Sequence, residues 1–137
     1  MSVDLEETDE LRLDFDKLSQ ISAKNMGVVP VAVQNADTNE VILVAYANKE
    51  ALDLSIKTKI ATFFSTSRNE IWIKGATSGA EFELTEVFVN CEQNSLVYKV
   101  RPKKENICHT KNQKGEARNC FYRKLDFDTK KLLNLNP

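Results

Sequence analysis

Three cysteines and a single histidine are the groups in this sequence best suited to hold a metal or move a proton. Cys91 lies in Asn90-Cys91-Glu92-Gln93-Asn94, Cys108 in Ile107-Cys108-His109-Thr110, and Cys120 in Asn119-Cys120-Phe121-Tyr122-Arg123. Their spacings, 17 and 12 residues, are not those of zinc knuckles or ribbons, whose ligands come in close Cys-x-x-Cys pairs. An odd count argues against a disulfide framework and leaves metal binding, catalysis or plain burial open. His109 titrates near neutrality and suits proton transfer, although a lone histidine is commonly a surface or satisfied group. The stretch Trp72-Ile73-Lys74-Gly75-Ala76-Thr77-Ser78-Gly79 brings a stacking surface, a cation and two hydroxyls to a glycine-flanked turn.

These groups need a scaffold, and the pattern of apolar residues supplies one. Val28 to Gln34 is β-branched and is followed by the turn-forming run Asn35-Ala36-Asp37-Thr38-Asn39, then by the apolar Val41 to Tyr46. Two such runs joined by a turn predict a hairpin. Asn48 is placed to cap a helix running to about Thr58, with Glu50 in its first turn and Ala51, Leu52, Leu54 and Ile56 partly buried. Short strands are expected at Ala61 to Ser65 and Glu70 to Lys74, a longer one from Glu81 to Cys91, and a partner from Ser95 to Val100 through a turn at Gln93-Asn94. Asp14 to Gln20 reads as a short helix carrying Phe15 and Leu18. Residues 1 to 13 read as a flexible segment, the stretch after Pro102 as loop to Phe121, and the rest as a polar tail. The fold class expected is α+β, a mainly antiparallel sheet of short strands with one clear helix, in one domain over residues 14–137.

Composition narrows the function. Hydrophobic residues make up 42% and charged residues 28%, values of an ordinary globular domain. A formal net charge of −1 does not suit a nucleic-acid partner, and Arg101, Lys103 and Lys104 read as a solvated strand end. No apolar run approaches the ~20 residues of a membrane span, so no membrane partner is expected. Met1 to Glu10 is acidic and lacks a signal-peptide pattern, so a cytoplasmic setting with reduced cysteines is expected.

Taken together, the segments resemble the phosphoribosyl-AMP cyclohydrolase family, enzymes of histidine biosynthesis that open a purine ring. That family shows Trp-x-Lys-Gly-Glu-Thr-Ser-Gly, then Asp-Cys-Asp-x-Asp, then Cys-His-Thr, then Ser-Cys-Phe-Tyr-Arg. The segment Phe64-Ser65-Thr66-Ser67-Arg68 matches its Phe-Ser-x-Ser-Arg, and the resemblance runs in order from about Leu13 to Arg123. It implies that Cys91, Cys108 and Cys120 hold Zn2+ and that a zinc-activated hydroxide attacks C6 of the adenine ring, breaking the C6–N1 bond. His109 would then be the catalytic proton shuttle. Ser65, Ser67, Arg68, Lys74, Thr77 and Ser78 would contact a phosphoribosyl nucleotide, with Trp72 as a purine platform. Arginine suits such oxygens as a planar fork and lysine as a point charge. The resemblance further implies an intertwined homodimer whose zinc ligands are shared between chains, the first cysteine facing the other two of the partner.

The sequence departs from the family at its second metal. The three aspartates that bind Mg2+ there are Asn90, Glu92 and Asn94 here, and one carboxylate in place of three weakens a hard-cation site. Ala76 replaces the glutamate of the upstream motif, Ala80 replaces a polar residue, and the loop from Lys111 to Asn119 is longer than usual. An intact zinc half with a degenerate magnesium half fits a ring-opening enzyme of this family. It also fits a relative acting on another purine-type cyclic amidine, or a silent zinc-stabilised nucleotide-binding module.

Overall fold

The computed structural model describes residues 2–74, 79, 81–103, 112–116 and 118–137. Its centre is a four-stranded sheet in the order β2-β1-β6-β5, formed by Val41–Ala47 (β2), Val29–Asn35 (β1), Leu96–Pro102 (β6) and Phe82–Val89 (β5). β1 and β2 pair antiparallel, as do β5 and β6, while β1 and β6 run parallel with Val31 opposite Leu96 and Val33 opposite Tyr98. This is the α+β class expected. The parallel join at its centre was not foreseen.

Local chemistry explains the hairpins. In the β1–β2 turn the Asn35 side-chain oxygen accepts from the backbone N–H of Asp37 at 2.8 Å and of Thr38 at 3.1 Å, an Asx turn. Asn39 closes it with a φ of 66°, a conformation asparagine tolerates better than most residues. The buried Val31 and Val33 of β1 and Leu96, Tyr98 and Val100 of β6 alternate with more exposed neighbours, so one face of the sheet is the core face. In β5 the alternation changes phase at a bulge between Leu84 and Glu86. Phe82 and Leu84 point inward before it and Val87 packs on the core after it, leaving Phe88 and Val89 exposed.

Between β2 and β5 the chain covers the core with α3 (Lys49–Thr58) and the hairpin β3 (Thr62–Ser65) to β4 (Glu70–Ile73). The Asn48 side chain accepts from the Ala51 N–H at 2.9 Å, the cap the sequence indicates, and the helix ends at Lys59 with a φ of 62°. Its buried stripe is Ala51 and Ser55, with Leu52 packed beside it, whereas Ile56 is exposed. Ser55 works as a polar rivet: its hydroxyl donates to the Ala51 carbonyl at 2.8 Å and accepts from the Thr62 N–H at 2.8 Å. That ties α3 to β3. Phe63 is fully buried, with ring centroids 5.4 Å from Trp72 and 5.8 Å from Tyr98.

Three expectations need correction. The helix near residue 14 is α2, Lys17–Ala23, and its buried residue is Ile21; Phe15 and Leu18 are 85% and 66% exposed. Asp14 instead accepts from the Asp16 N–H at 3.0 Å, a turn that delays the helix. The tail is not irregular, because β7 (Arg123–Leu125) and β8 (Leu132–Asn134) form an antiparallel hairpin. Residues 1–13, expected to be flexible, contain α1 (Ser2–Glu7), which is fastened to the β7 region. The Tyr122 hydroxyl donates to the Glu6 carbonyl at 2.6 Å, Arg123 donates to the Leu5 carbonyl at 2.8 Å, and Arg118 pairs with Glu7. The buried Arg118 guanidinium stacks 3.7 Å above the Tyr122 ring. Among the described residues, no helix is long and apolar enough to cross a membrane.

Among the described residues, the core holds one polar misfit. The Tyr98 hydroxyl is fully buried without a hydrogen bond of normal geometry, and burial raises its pKa above the usual value. The neighbouring Ser55 hydroxyl opposes that rise, but it is committed to Ala51 and Thr62. A phenol with a raised pKa stays neutral in the fold while the unfolded chain ionises above about pH 10, so its contribution to stability falls as the pH climbs past 10. Tyr98→Phe removes the unsatisfied group. It should leave stability at pH 7 unchanged or raise it by about 1 kcal/mol. It should also flatten the alkaline loss, as read from urea midpoints between pH 7 and 11.

Candidate active site

Two places in the fold gather the residues singled out above. The first is a cavity of about 520 Å³ beside β2, lined by Ser65, Ser67, Arg68 and Trp72 together with Tyr46 and Lys17. The β3–β4 hairpin builds most of it. The turn from Thr66 to Asn69, with Asn69 at a φ of 56°, folds Ser65, Ser67 and Arg68 onto one side. Ser65 organises that side: its hydroxyl accepts from the Arg68 backbone N–H at 3.2 Å and lies 3.4 Å from both the Arg68 Nε and the Ser67 hydroxyl. Glu70 lies 3.5 Å from Arg68 Nε, so the inner edge of the guanidinium is steadied and its outer nitrogens are left for a ligand. Trp72 is half-buried against Phe63 and still lines the cavity, so it serves packing and can offer a ring to a base. An aromatic floor beside hydroxyls and a guanidinium suits a nucleotide phosphate and its base.

Lys74 lies elsewhere, with its ammonium 5.4 Å from the Phe82 ring centroid. Thr77, Ser78, Cys108 and His109 lie outside the described residues. Lys17 and Tyr46 line the cavity and were missed from sequence. Tyr46 carried a signal, since it ends the apolar run leading into the Asn48 cap.

The second place is the pair of exposed cysteines, Cys91 and Cys120. Cys91 follows β5 on one edge of the sheet. Cys120 is held at the other edge, where its backbone N–H donates to the Ile42 carbonyl of β2 at 2.9 Å. Three inter-strand spacings separate these edges, and the register offsets the two cysteines by several residues in opposite directions. At ~4.8 Å per spacing and ~3.3 Å per residue they stand about 20 Å apart in one chain. Two thiolates on one zinc ion can be separated by no more than about 4.6 Å. Among the described residues, which do not include Cys108 and His109, no cluster of three or more metal-binding side chains is found. The thiolate donor set fits zinc, and within one chain these two thiols do not reach a common ion.

The turn after β5 does not fit magnesium. Asn90 Oδ1 accepts from the backbone N–H of Asn94 at 2.9 Å and of Ser95 at 3.0 Å, and Asn90 Nδ2 donates to Asn94 Oδ1 at 2.7 Å. Both amide oxygens are therefore committed to the turn, which leaves Glu92 as the one free carboxylate there. The asparagines fix the direction in which the chain leaves β5, and with it the position of Cys91. Asn90→Ala should lower stability by about 1–2 kcal/mol through loss of two backbone acceptor contacts, while Asn90→Asp should retain most of it. Thermal unfolding of both variants checks this, and added magnesium should shift neither the wild type nor Asn90→Ala.

A family model described as phosphoribosyl-AMP cyclohydrolase matches residues 43–122, which span β2 to Tyr122. The phosphoribosyl-AMP cyclohydrolase of Nitrosopumilus maritimus is 44% identical over 102 residues, 74% of this chain and 89% of that protein. That of Cenarchaeum symbiosum is 41% identical over 113 residues, covering 82% of this chain and 93% of the relative. The histidine biosynthesis bifunctional protein HisIE of Thermus thermophilus is 46% identical over 108 residues, 79% of this chain. The match spans only 48% of that bifunctional relative.

Proposed function

The chain belongs to the phosphoribosyl-AMP cyclohydrolase family of hydrolases acting on a cyclic amidine, and from that premise we propose that it opens the C6–N1 bond of phosphoribosyl-AMP in histidine biosynthesis. The observation that carries this reading is the cavity beside β2, where Arg68, Ser65, Ser67 and Trp72 converge as a phosphoribosyl purine requires. Cys120 is tied to Ile42, on the same strand as the cavity wall at Val44 to Tyr46. A metal at Cys120 would therefore stand within a few strand residues of a ring lying on Trp72.

The active unit in this reading is a homodimer with two equivalent sites. Cys91 of one chain joins Cys108 and Cys120 of its partner around Zn2+, and the separation of Cys91 from Cys120 within one chain supports the sharing. Zinc held by three thiolates leaves one position open and, when bound, supplies a water acidified to near neutrality for attack on an electrophilic carbon. The protein's own groups do the rest. Arg68 and the paired serines orient the ribose phosphate, Trp72 holds the ring plane, and His109 carries the proton that the opening ring nitrogen must gain. A reducing cytoplasmic setting keeps the thiols available as ligands. The magnesium contribution of the family is not carried over to Asn90 and Asn94, since their oxygens are engaged in the turn.

Purified protein should contain about one zinc per chain and convert phosphoribosyl-AMP to the ring-opened product, followed by its ultraviolet spectrum. Tight binding without product would favour the silent module instead. His109→Ala should retain zinc and lose roughly 10²–10⁴-fold in turnover, the range for a general acid–base group; unchanged turnover would remove it from the mechanism.

Sharing of the site has its own test. Cys91→Ala and Cys120→Ala dimers should each be inactive. After the two variants are unfolded together, mixed and refolded, roughly half the dimers are mixed and each carries one intact site, so about a quarter of normal activity should return. No recovery in mixed dimers confirmed by mass spectrometry would exclude a shared site.

A further inference from the structure

The cavity beside β2 has a wall from outside the residues that the family model matches. Lys17, the first residue of α2, lines it together with Arg68, Ser65 and Ser67, whereas the match to the family model begins at residue 43. No aspartate or glutamate is among the lining residues. Lys17 is exposed and makes no ion pair or hydrogen bond among the described residues. A smaller hollow of about 80 Å³ on the other flank of Thr66 and Ser67 is lined by Lys17 and Lys24. The hydroxyl-bearing turn is thus faced by cations from two separate elements, α2 and the β3–β4 hairpin.

The charge requirement of the ligand points the same way. A phosphate monoester carries about −1.5 to −2 at pH 7 and presents three acceptor oxygens. Arg68 supplies one planar fork, and part of its charge is offset by Glu70 at 3.5 Å. One further cation is needed to balance the group, and a lysine on a flexible stem can follow the oxygens that the fork does not reach.

We propose that Lys17 is a ligand-binding residue of this site, holding a phosphate monoester of the substrate jointly with Arg68. The assignment rests on the reading of the cavity as the nucleotide site. It makes the first turn of α2 part of the active site.

The test is binding of AMP against adenosine by calorimetry, alongside turnover of phosphoribosyl-AMP, in the wild type, Lys17→Ala, Lys17→Arg and Lys24→Ala. Loss of a charge-assisted contact weakens binding by about 10-fold or more. Lys17→Ala should therefore lose about 10-fold or more in affinity for AMP and none for adenosine. Its KM should rise by a similar factor with kcat within about twofold. Lys17→Arg should restore most of the affinity, and Lys24→Ala, which does not line the cavity, should change it by less than about threefold.

The assignment is overturned if Lys17→Ala binds AMP as the wild type does, or loses AMP and adenosine equally. It is equally overturned if Lys24→Ala costs as much, the mark of diffuse charge, or if the wild type shows no preference for AMP. A wild type that prefers AMP through Lys17 yet fails to turn over phosphoribosyl-AMP would sink the proposed reaction and leave the phosphate contact standing. The two failures are thereby separable.

Discussion

The parallel pairing of β1 with β6 is the constraint from which the rest of this structure follows. Each strand already has an antiparallel partner made by a short local turn, so two hairpins could form independently. Joining them parallel demands a long crossover, and residues 48–81 provide it as α3 and the β3–β4 hairpin. The crossover cannot run idle across the sheet, because Val31, Val33, Tyr98 and Val100 need covering. Phe63, Ala51 and Ser55 do so. The order β2-β1-β6-β5 then puts at opposite corners the turn after β5 and the strap of residues 118–122, which is bonded to β2 through Cys120 and Ile42.

That arrangement divides the chemistry of the molecule by edge. The β2 edge carries the cavity, the hydroxyls and cation of the β3–β4 hairpin, and Cys120. The β5 edge carries Cys91 on a turn held by amides. The exposed Phe88 and Val89 beside Cys91 give the β5 edge an apolar border, and exposed Val44 does the same near Cys120.

How much of this was legible depended on whether the decisive interaction was local. The Asn35 turn, the Asn48 cap and the Gln93-Asn94 turn are written within a few residues, and each appears where the sequence indicates. The run from Phe64 to Arg68 was singled out through its resemblance to a family segment, and the fold sets Phe64 to Arg68 along one cavity. The parallel join was hidden, since nothing in two hairpins specifies how their edges meet. The exposure of Phe15 and Leu18 was hidden because a short amphipathic stretch does not declare which turn of helix survives. Lys17 was illegible for a related reason, as its role rests on Thr66 and Ser67, about 50 residues on. The distance between Cys91 and Cys120 could be read only once strand order was known.

The fastening of α1 onto the β7 region has a kinetic meaning beyond its geometry. Glu7 and Arg118 are 111 residues apart in sequence, among the most distant contacts of the molecule. Contacts of such separation carry the largest loop-closure entropy, so they form only after the local hairpins and the sheet are in place. By the same logic they belong to the part of the native state that can open by itself while the core stays shut. Arg118 is almost fully buried and Glu7 half-exposed, so such an opening hydrates a guanidinium that the fold otherwise keeps from water. The strap that this opening loosens is the one bearing Cys120, two residues from Arg118. Of the two described thiols, Cys120 thus lies next to a contact whose opening is local, while Cys91 follows the edge strand β5 in a turn of its own.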